Sequence, residues 1–271
     1  MAVAATSLVT LAELKTFLGI TGGGSDAILE QSIDRASAWV ERYCGRRFTD
    51  ARVQEVYDTF GHDRVVLKSP PATKVYFVGA LKQTVLSVYS TDPSDSFASV
   101  STDSTSLHLV RRDSTGTETV TSLSLTTYDT TNELATAITA TSGFRATANL
   151  NIPSIYLDGV AGRDLRISGC LIQGWVYSLT DYGVDEDKGI IYGETLSGYQ
   201  QVIVDYTGGY TTIPADVVYA TLMVAAKFYR DRTRDMSVAS ESLGGYSYSR
   251  RAAAEAQQEI RDMLGPYRRI R

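Results

Sequence analysis

Near the start of the chain, apolar residues recur at helical spacing. Leu11, Leu14, Phe17 and Leu18 fall on one face of a short helix. Thr10 and Glu13 have the capping-box spacing, in which each side chain satisfies the other's free backbone N–H, and Gly19 ends the helix. A glycine-rich link at 21–24 leads to Ser25 or Asp26, the cap of a longer second helix. There Leu29, Ile33, Ala36, Val40 and Cys44 form one stripe, widened by Ile28 and Trp39, and Gly45 is placed to close it in a left-handed conformation.

The periodicity then shortens. Runs at 53–57, 64–67 and 74–78 are β-branched or aromatic and separated by Gly, Asp and Pro-Pro, which predicts short strands. Residues 84–168 are rich in Thr, Ser and Val, with strands expected at 84–89, 106–110, 117–125, 145–150 and 164–167. One amphipathic helix at 131–141, carrying Leu134 and Ile138, capped by Thr130 or Thr131 and stopped by Gly143, interrupts them. A hairpin is expected between 189–192 and 200–206, turning on Ser197 and Gly198. Pro214 then opens a helix that is apolar almost all round from Val217 to Phe228 and should be central. Residues 237–249 read as a polar loop, and a last helix at 251–264 places Ala253, Ala256, Ile260 and Leu264 on one side before Gly265-Pro266 ends it.

The pattern predicts an α+β fold. The two chain ends form a four-helix core with a small β hairpin region (1–82 and 184–271), and an inserted β-rich, sandwich-like subdomain with one helix occupies 83–183.

Composition narrows the function. At 271 residues, 43% hydrophobic and 21% charged, the chain is long enough to bury a sizeable core. No apolar run approaches the length of a membrane-spanning helix, and Met1 to Val9 lacks the basic region and cleavage site of a signal peptide, so no membrane partner is expected. Cys44 and Cys170 are expected as buried, unpaired residues of a protein made in a reducing cytoplasm. The net charge of −5 is uneven. From Lys227 to Arg271 there are ten basic and six acidic residues, net +4, leaving −9 for the rest. A basic tail on an acidic body suits docking onto an acidic partner, or a solvated helix face.

Catalytic chemistry finds little support. His62 and His108 stand in different segments without ligand-spaced partners, so no metal site is expected. Gly22-Gly23-Gly24 follows no strand and precedes no Lys-Ser/Thr, so it is a linker rather than a phosphate cradle, and no cofactor is expected. Asp185-Glu186-Asp187 reads as a solvated turn. The 17 tyrosines against two tryptophans suit subunit interfaces and β-sheet faces equally.

Read together, the chain ends resemble the head–tail connector (adaptor, or head completion) proteins of tailed bacteriophages. The resemblance rests on the capped opening Leu8-Val9-Thr10-Leu11-Ala12-Glu13-Leu14-Lys15 and on the helix end Tyr43-Cys44-Gly45-Arg46-Arg47-Phe48. It continues in Tyr206-Thr207-Gly208-Gly209-Tyr210 followed by Pro214-Ala215-Asp216, and in an Arg-ending tail. It covers roughly 6–80 and 185–271; residues 83–183 depart from the compact family pattern.

The resemblance implies a non-enzymatic virion protein of the neck, assembled in the host cytoplasm. Copies would form a ring, dodecameric in the family, under the portal protein. The ring would continue a channel through which packaged DNA passes without sequence-specific binding, and give a platform to a tail or stopper protein. It further implies that Tyr267, Arg268, Arg269, Ile270 and Arg271 dock onto the portal. A loop with Glu241, Leu243, Gly244, Gly245, Tyr246 and Tyr248 would contact a neighbouring copy or rearrange on assembly. Two other readings remain open. One is a glycan- or host-surface-binding module using Tyr89, Tyr128, Tyr156, Trp175 and Tyr177 of the insert as stacking platforms. The other is a nucleic-acid-binding protein using the basic C-terminal helix.

Overall fold

The computed structural model describes residues 7–232, 240–243 and 246–269. The chain opens with α1 (Leu11–Leu18) and α2 (Asp26–Cys44). Thr10 caps α1 through the full box with Glu13, while Ser25 precedes α2 without a side-chain cap bond. Gly19 and Gly45 both close their helices in the left-handed region at φ 68°.

Strands β1 (Ala51–Asp58), β2 (Arg64–Val66) and β3 (Ala72–Ser90) follow. The insert contributes β4 (Phe97–Thr102), β5 (Ser106–Arg112), β6 (Glu118–Ser124), α3 (Thr131–Ala140), β7 (Phe144–Ala148), β8 (Arg163–Asp164) and β9 (Cys170–Ser178). Then come β10 (Gly183–Asp185), β11 (Ile190–Tyr192), β12 (Gln201–Gly208), α4 (Ala215–Asp231), β13 (Ser240–Leu243), β14 (Tyr246–Ser249) and α5 (Arg250–Leu264).

The architecture is α+β, and among the described residues three large apolar clusters, with a small fourth of Tyr156, Trp175 and Ile203, organise it. Leu14, Leu29, Ile33 and Val40 of the first two helices pack on Val217, Ala220 and Ala225 of α4 and on Ile260 and Leu264 of α5. A second cluster joins Val85, Leu86 and Val88 of β3 to Val100, Leu107 and Leu109 of the insert's own sheet and to Leu134 and Ile138 of α3. A third lies between, with Tyr57, Leu67, Val78, Ile191, Val204 and Tyr206. Each fully buried leucine or isoleucine contributes on the order of 2 kcal/mol from water exclusion alone.

The structure corrects four expectations. Residues 74–78 and 84–89 are not two strands but parts of the single 19-residue β3. The strand continues through Leu81, which takes φ 59° at the point where β3 leaves β12. β12 pairs with β3 up to Ala80, and β7 pairs from Leu86 onward along the same edge; β9 runs along the opposite edge from Gly79 to Val88. The position dividing 82 from 83 therefore falls inside one strand.

Residues 189–192 and 200–206 do not form a hairpin with each other. β11 is occupied on both edges by β10 and β2, and β12 by β1 and β3; a 3-10 turn at Glu194–Gly198 carries the chain between the two sheets. Within the stretch expected as a polar loop, Ser240–Leu243 pairs with Tyr246–Ser249 as a two-stranded ladder. The strand expected at 164–167 shrinks to Arg163–Asp164, while Phe97–Thr102 and Cys170–Ser178 are strands that periodicity alone did not mark. The insert's sheet has the order β6-β5-β4-β8, and the second cluster joins residues of it to residues of β3 and α3.

Candidate assembly surfaces

The C-terminal end is folded back on the body. After α5, Gly265–Tyr267 makes one 3-10 turn, and the Arg269 backbone N–H donates to the Cys44 carbonyl at 2.8 Å. The Tyr267 ring meets Phe48 edge-on at 6.1 Å, and its hydroxyl donates to Asp216 at 3.5 Å. The exposed Arg268 lies over the Tyr43 ring at 5.3 Å, and that ring in turn stacks on Trp39 at 5.4 Å. Arg269 Nη2 reaches the Val66 carbonyl at 3.5 Å. The expected docking residues Tyr267, Arg268 and Arg269 are thus brought together at the end of α2; Ile270 and Arg271 lie outside the described residues.

Arg46 sits on this face; it belongs to the helix-end motif that carries the resemblance, but was not expected as a docking residue. Its guanidinium lies 5.1 Å from the Phe48 ring centre and 5.3 Å from that of Tyr210. Two glycines make this arrangement possible. Gly209 holds φ 109°, and a side chain there would strike the Thr49 carbonyl; one on Gly208 would strike the Ser69 carbonyl. The close approach lets the Tyr210 N–H donate to the Phe48 carbonyl at 2.7 Å, and the two rings stack on each other at 6.3 Å with the Arg46 guanidinium beside the pair.

Electrostatically this face is unfinished. The Nε and Nη2 atoms of Arg46 and the Nε of Arg269 are buried without a hydrogen-bond partner. Burial holds the Arg46 pKa below its ordinary value. The Cys44 thiol is pushed up to about 11 by the same burial, against the pull of Arg46 and Arg268, so it stays a neutral apolar group. Glu41 is also raised by burial, although the Phe48 N–H donates to it at 3.3 Å and Arg47 attracts it.

Elsewhere buried charges are closed. Asp205, fully buried in β12, accepts both Nε (2.9 Å) and Nη2 (2.7 Å) of Arg52, and also Gln54 at 3.3 Å and the Tyr156 hydroxyl at 3.4 Å. Tyr156 belongs to the insert and stacks on Phe77 of β3 at 4.1 Å, so this contact clamps the insert onto the core sheet. Inside the insert, Arg111 Nε bonds both oxygens of the buried Asp95 at 2.8 Å, and its Nη2 donates to Asp92.

Of the five aromatic residues considered as stacking platforms, Trp175 and Tyr156 are buried, at 2% and 9% exposure. Tyr89 and Tyr128 are half-buried, and Tyr177 is exposed. The backbones of Glu241, Leu243, Tyr246 and Tyr248 lie in the β13–β14 ladder, and Gly244 and Gly245 are outside the described residues. Both cysteines are free and buried. Among the described residues, no group of three or more His, Cys, Asp or Glu is placed to hold a metal ion, and no helix is long and apolar enough to cross a membrane.

Residues 7–95 match the family model described as head completion protein. No curated protein matches the chain. Three solved structures are similar over its whole length. One is the neck of an empty gene transfer agent particle computed with C6 symmetry, at 13% identity, 95% coverage of that chain and a TM-score of 0.44. Another is the neck of the native particle computed with C12 symmetry, at 14%, 93% and 0.38. The third is the virion of the native particle, at 14%, 94% and 0.40.

Proposed function

We propose, from the premise that residues 7–95 place this chain with the head completion proteins, that it is a structural head–tail connector subunit of a phage-like virion. That family is structural rather than enzymatic. In this reading the subunit sits in the neck, repeats as a ring, and contacts the portal on one side and the next tail component on the other. Packaged DNA passes through the ring without sequence-specific binding.

The observation that carries the reading is the family match. The fold supports it: the matched segment supplies α1 and α2, and the far end of the chain returns α4, α5 and the Arg269 turn to pack on them. The Arg-rich face at that junction is the surface we assign to the portal side. The insert, on its own core and clamped through Tyr156, is assigned to the outside of the ring, where added mass leaves the channel open.

Removing 267–271 would also strip Tyr267 and Arg269 from the helical core, so the test uses the exposed Arg268 instead. The wild-type protein should co-sediment with empty portal-bearing capsids and form a ring at the vertex in class averages. Arg268→Glu should reduce capsid binding while the free protein keeps its melting temperature. Absence of vertex density with the wild-type protein would overturn the connector reading.

A further inference from the structure

We propose that the cavity lined by Phe60 and Leu81 is a docking site for a second copy of this chain, which inserts the loop carrying Ile167. The proposal deepens the connector reading and rests on it for the ring, in which each copy meets the next through two different patches.

The argument starts from backbone strain. Among the described residues, only Phe60 and Leu81 hold a positive φ without being glycine, at 52° and 59°. Large apolar residues rarely adopt that conformation, because Cβ crowds the backbone, and it persists where other contacts offset its cost. Phe60 stands at the tip of a tight turn. The His62 N–H donates to the Thr59 carbonyl at 2.9 Å, and the two central residues, Phe60 and Gly61, lie at φ 52° and 76°. That is the pattern of a primed turn, for which Asn-Gly is a favoured pair. A phenylalanine there is strained, and at 81% exposure it gains almost no packing from its own chain. Leu81, inside β3, is 47% exposed. Both line one cavity of about 770 Å³, together with Asp58, Lys82, Trp175 and Tyr199. Two strained, exposed apolar residues at one cavity mark a surface that another molecule covers.

The occupant follows from what the same chain exposes elsewhere. Ile167, at 90%, is the most exposed large hydrophobic among the described residues. Its position is braced by Arg166, whose Nε and Nη2 donate to Asp164 at 3.0 and 2.7 Å. Ile167 lies three positions before β9 begins at Cys170, opposite Val88, whereas Trp175 of the cavity lies opposite Lys82. Cys170 and Trp175 are about 17 Å apart along the strand, so the loop and the cavity are too distant to meet within one molecule. Each is left for the next copy, and such a head-to-tail contact can repeat around a ring. Charge agrees with this pairing. Asp58 in the cavity and Arg163 near Ile167 are both exposed, and among the described residues neither has an ion pair; Asp58 accepts only Gln201, at 2.9 Å.

The test uses the full chain on empty portal-bearing capsids, with wild-type rings scored first by class averaging. Phe60→Cys and Ile167→Cys, mixed and oxidised with copper phenanthroline, should give a disulfide-linked dimer. Neither should give one alone, and the native Cys44 and Cys170 are buried and do not compete. Phe60→Asn should raise the protein concentration that half-fills the vertices by about tenfold or more, as for loss of an aromatic anchor. The same change relieves the turn, so the free variant should melt at or above the wild-type temperature. Ile167→Ser should weaken assembly likewise and keep its melting temperature. Wild-type rings without the mixed cross-link would overturn the proposal and leave the connector reading standing. A dimer from Phe60→Cys alone would overturn it in favour of a two-fold contact. A lower melting temperature for Phe60→Asn would overturn it too, since Phe60 would then serve the monomer. Absence of any wild-type ring would overturn the connector reading and this proposal together.

Discussion

The β-rich insert and the helical end of the molecule solve the same problem in opposite ways. In the insert, Arg111 is bonded by Asp92 and Asp95, Arg112 by Glu118 and Arg166 by Asp164, and Lys82 beside it pairs with Asp158. At the helical end, Arg46 and Arg269 keep buried nitrogens without partners, and Arg268 has an aromatic ring rather than a carboxylate beneath it. The insert faces three of its arginines with carboxylates and sets Arg145 over the Tyr89 ring, whereas the helical junction sets Arg46 and Arg268 against rings. Apolar packing does not distinguish them, since both hold leucines at zero exposure.

That contrast can be broken or sharpened by experiment. The largest effects should come from the cores. Leu29→Ala in the helical cluster and Leu107→Ala in the insert should each cost about 3 kcal/mol in urea unfolding. Because β3 is shared by the middle and insert clusters, and the Tyr210 N–H to Phe48 carbonyl bond ties the end of β12 to the end of α2, both variants should shift one common transition; two separate transitions would show that the regions fold independently.

The sharpest test pairs two charge removals. Asp205→Asn should cost about 2 kcal/mol, less than for a fully enclosed pair because Arg52 is half-exposed and can turn to water. In that background Tyr156→Phe should cost less than it does alone. Arg46→Met should leave the free protein as stable as wild type or more so, since it removes a charge with no anion. A loss matching that of Asp205→Asn would erase the distinction.

Smaller effects should be alike in the two regions. Thr10→Ala and Thr130→Ala each delete one half of a capping box and should each cost about 1 kcal/mol, readable as a shift in thermal midpoint. The mildest effect is in pH. Asp92, Asp103, Asp113, Asp164 and Asp185 are held below the usual carboxylate range by hydrogen bonds from Ser94, His108, Thr115, Arg166 and Lys188 respectively. Their stabilisation is present above the ordinary aspartate value and is lost as pH falls through the depressed one. Glu41, raised by burial, works in reverse: its contribution is present in acid and is lost as pH rises past its raised value. Acid should therefore loosen the β-rich part before the helical end, as followed by amide hydrogen exchange.

The helices were legible because their signals are local. Thr10 with Glu13 and Thr130 with Glu133 are spaced by the geometry of one helical turn, and both boxes form. Gly45 and the apolar stripe of α2 were readable for the same reason. The β connectivity was not, because pairing depends on partners far away in the chain. Nothing near 189–206 reveals that β11 is claimed by β2 and β12 by β1. β4 is rich in Ser and Thr, and its alternation hides among polar residues; β9 carries Gly174 and Trp175 where an even strand pattern was sought. Arg268 and Arg269 were expected as docking residues through the resemblance and its Arg-ending tail. Arg46 stood in the helix-end motif, but its burial was not legible, since it depends on Tyr210, 164 positions away, and on the glycines that bring that ring near.

The single long strand has a mechanical consequence. β3 is hydrogen-bonded to β12 in its first half, to β7 in its second, and to β9 across the junction. A pull on the insert directed along β3 therefore loads these ladders in shear, in which many bonds must give way together, rather than peeling them one at a time. The insert therefore shares a strand with the sheet that carries Asp205, and β12 of that sheet ends at Gly208, next to Gly209 and Tyr210.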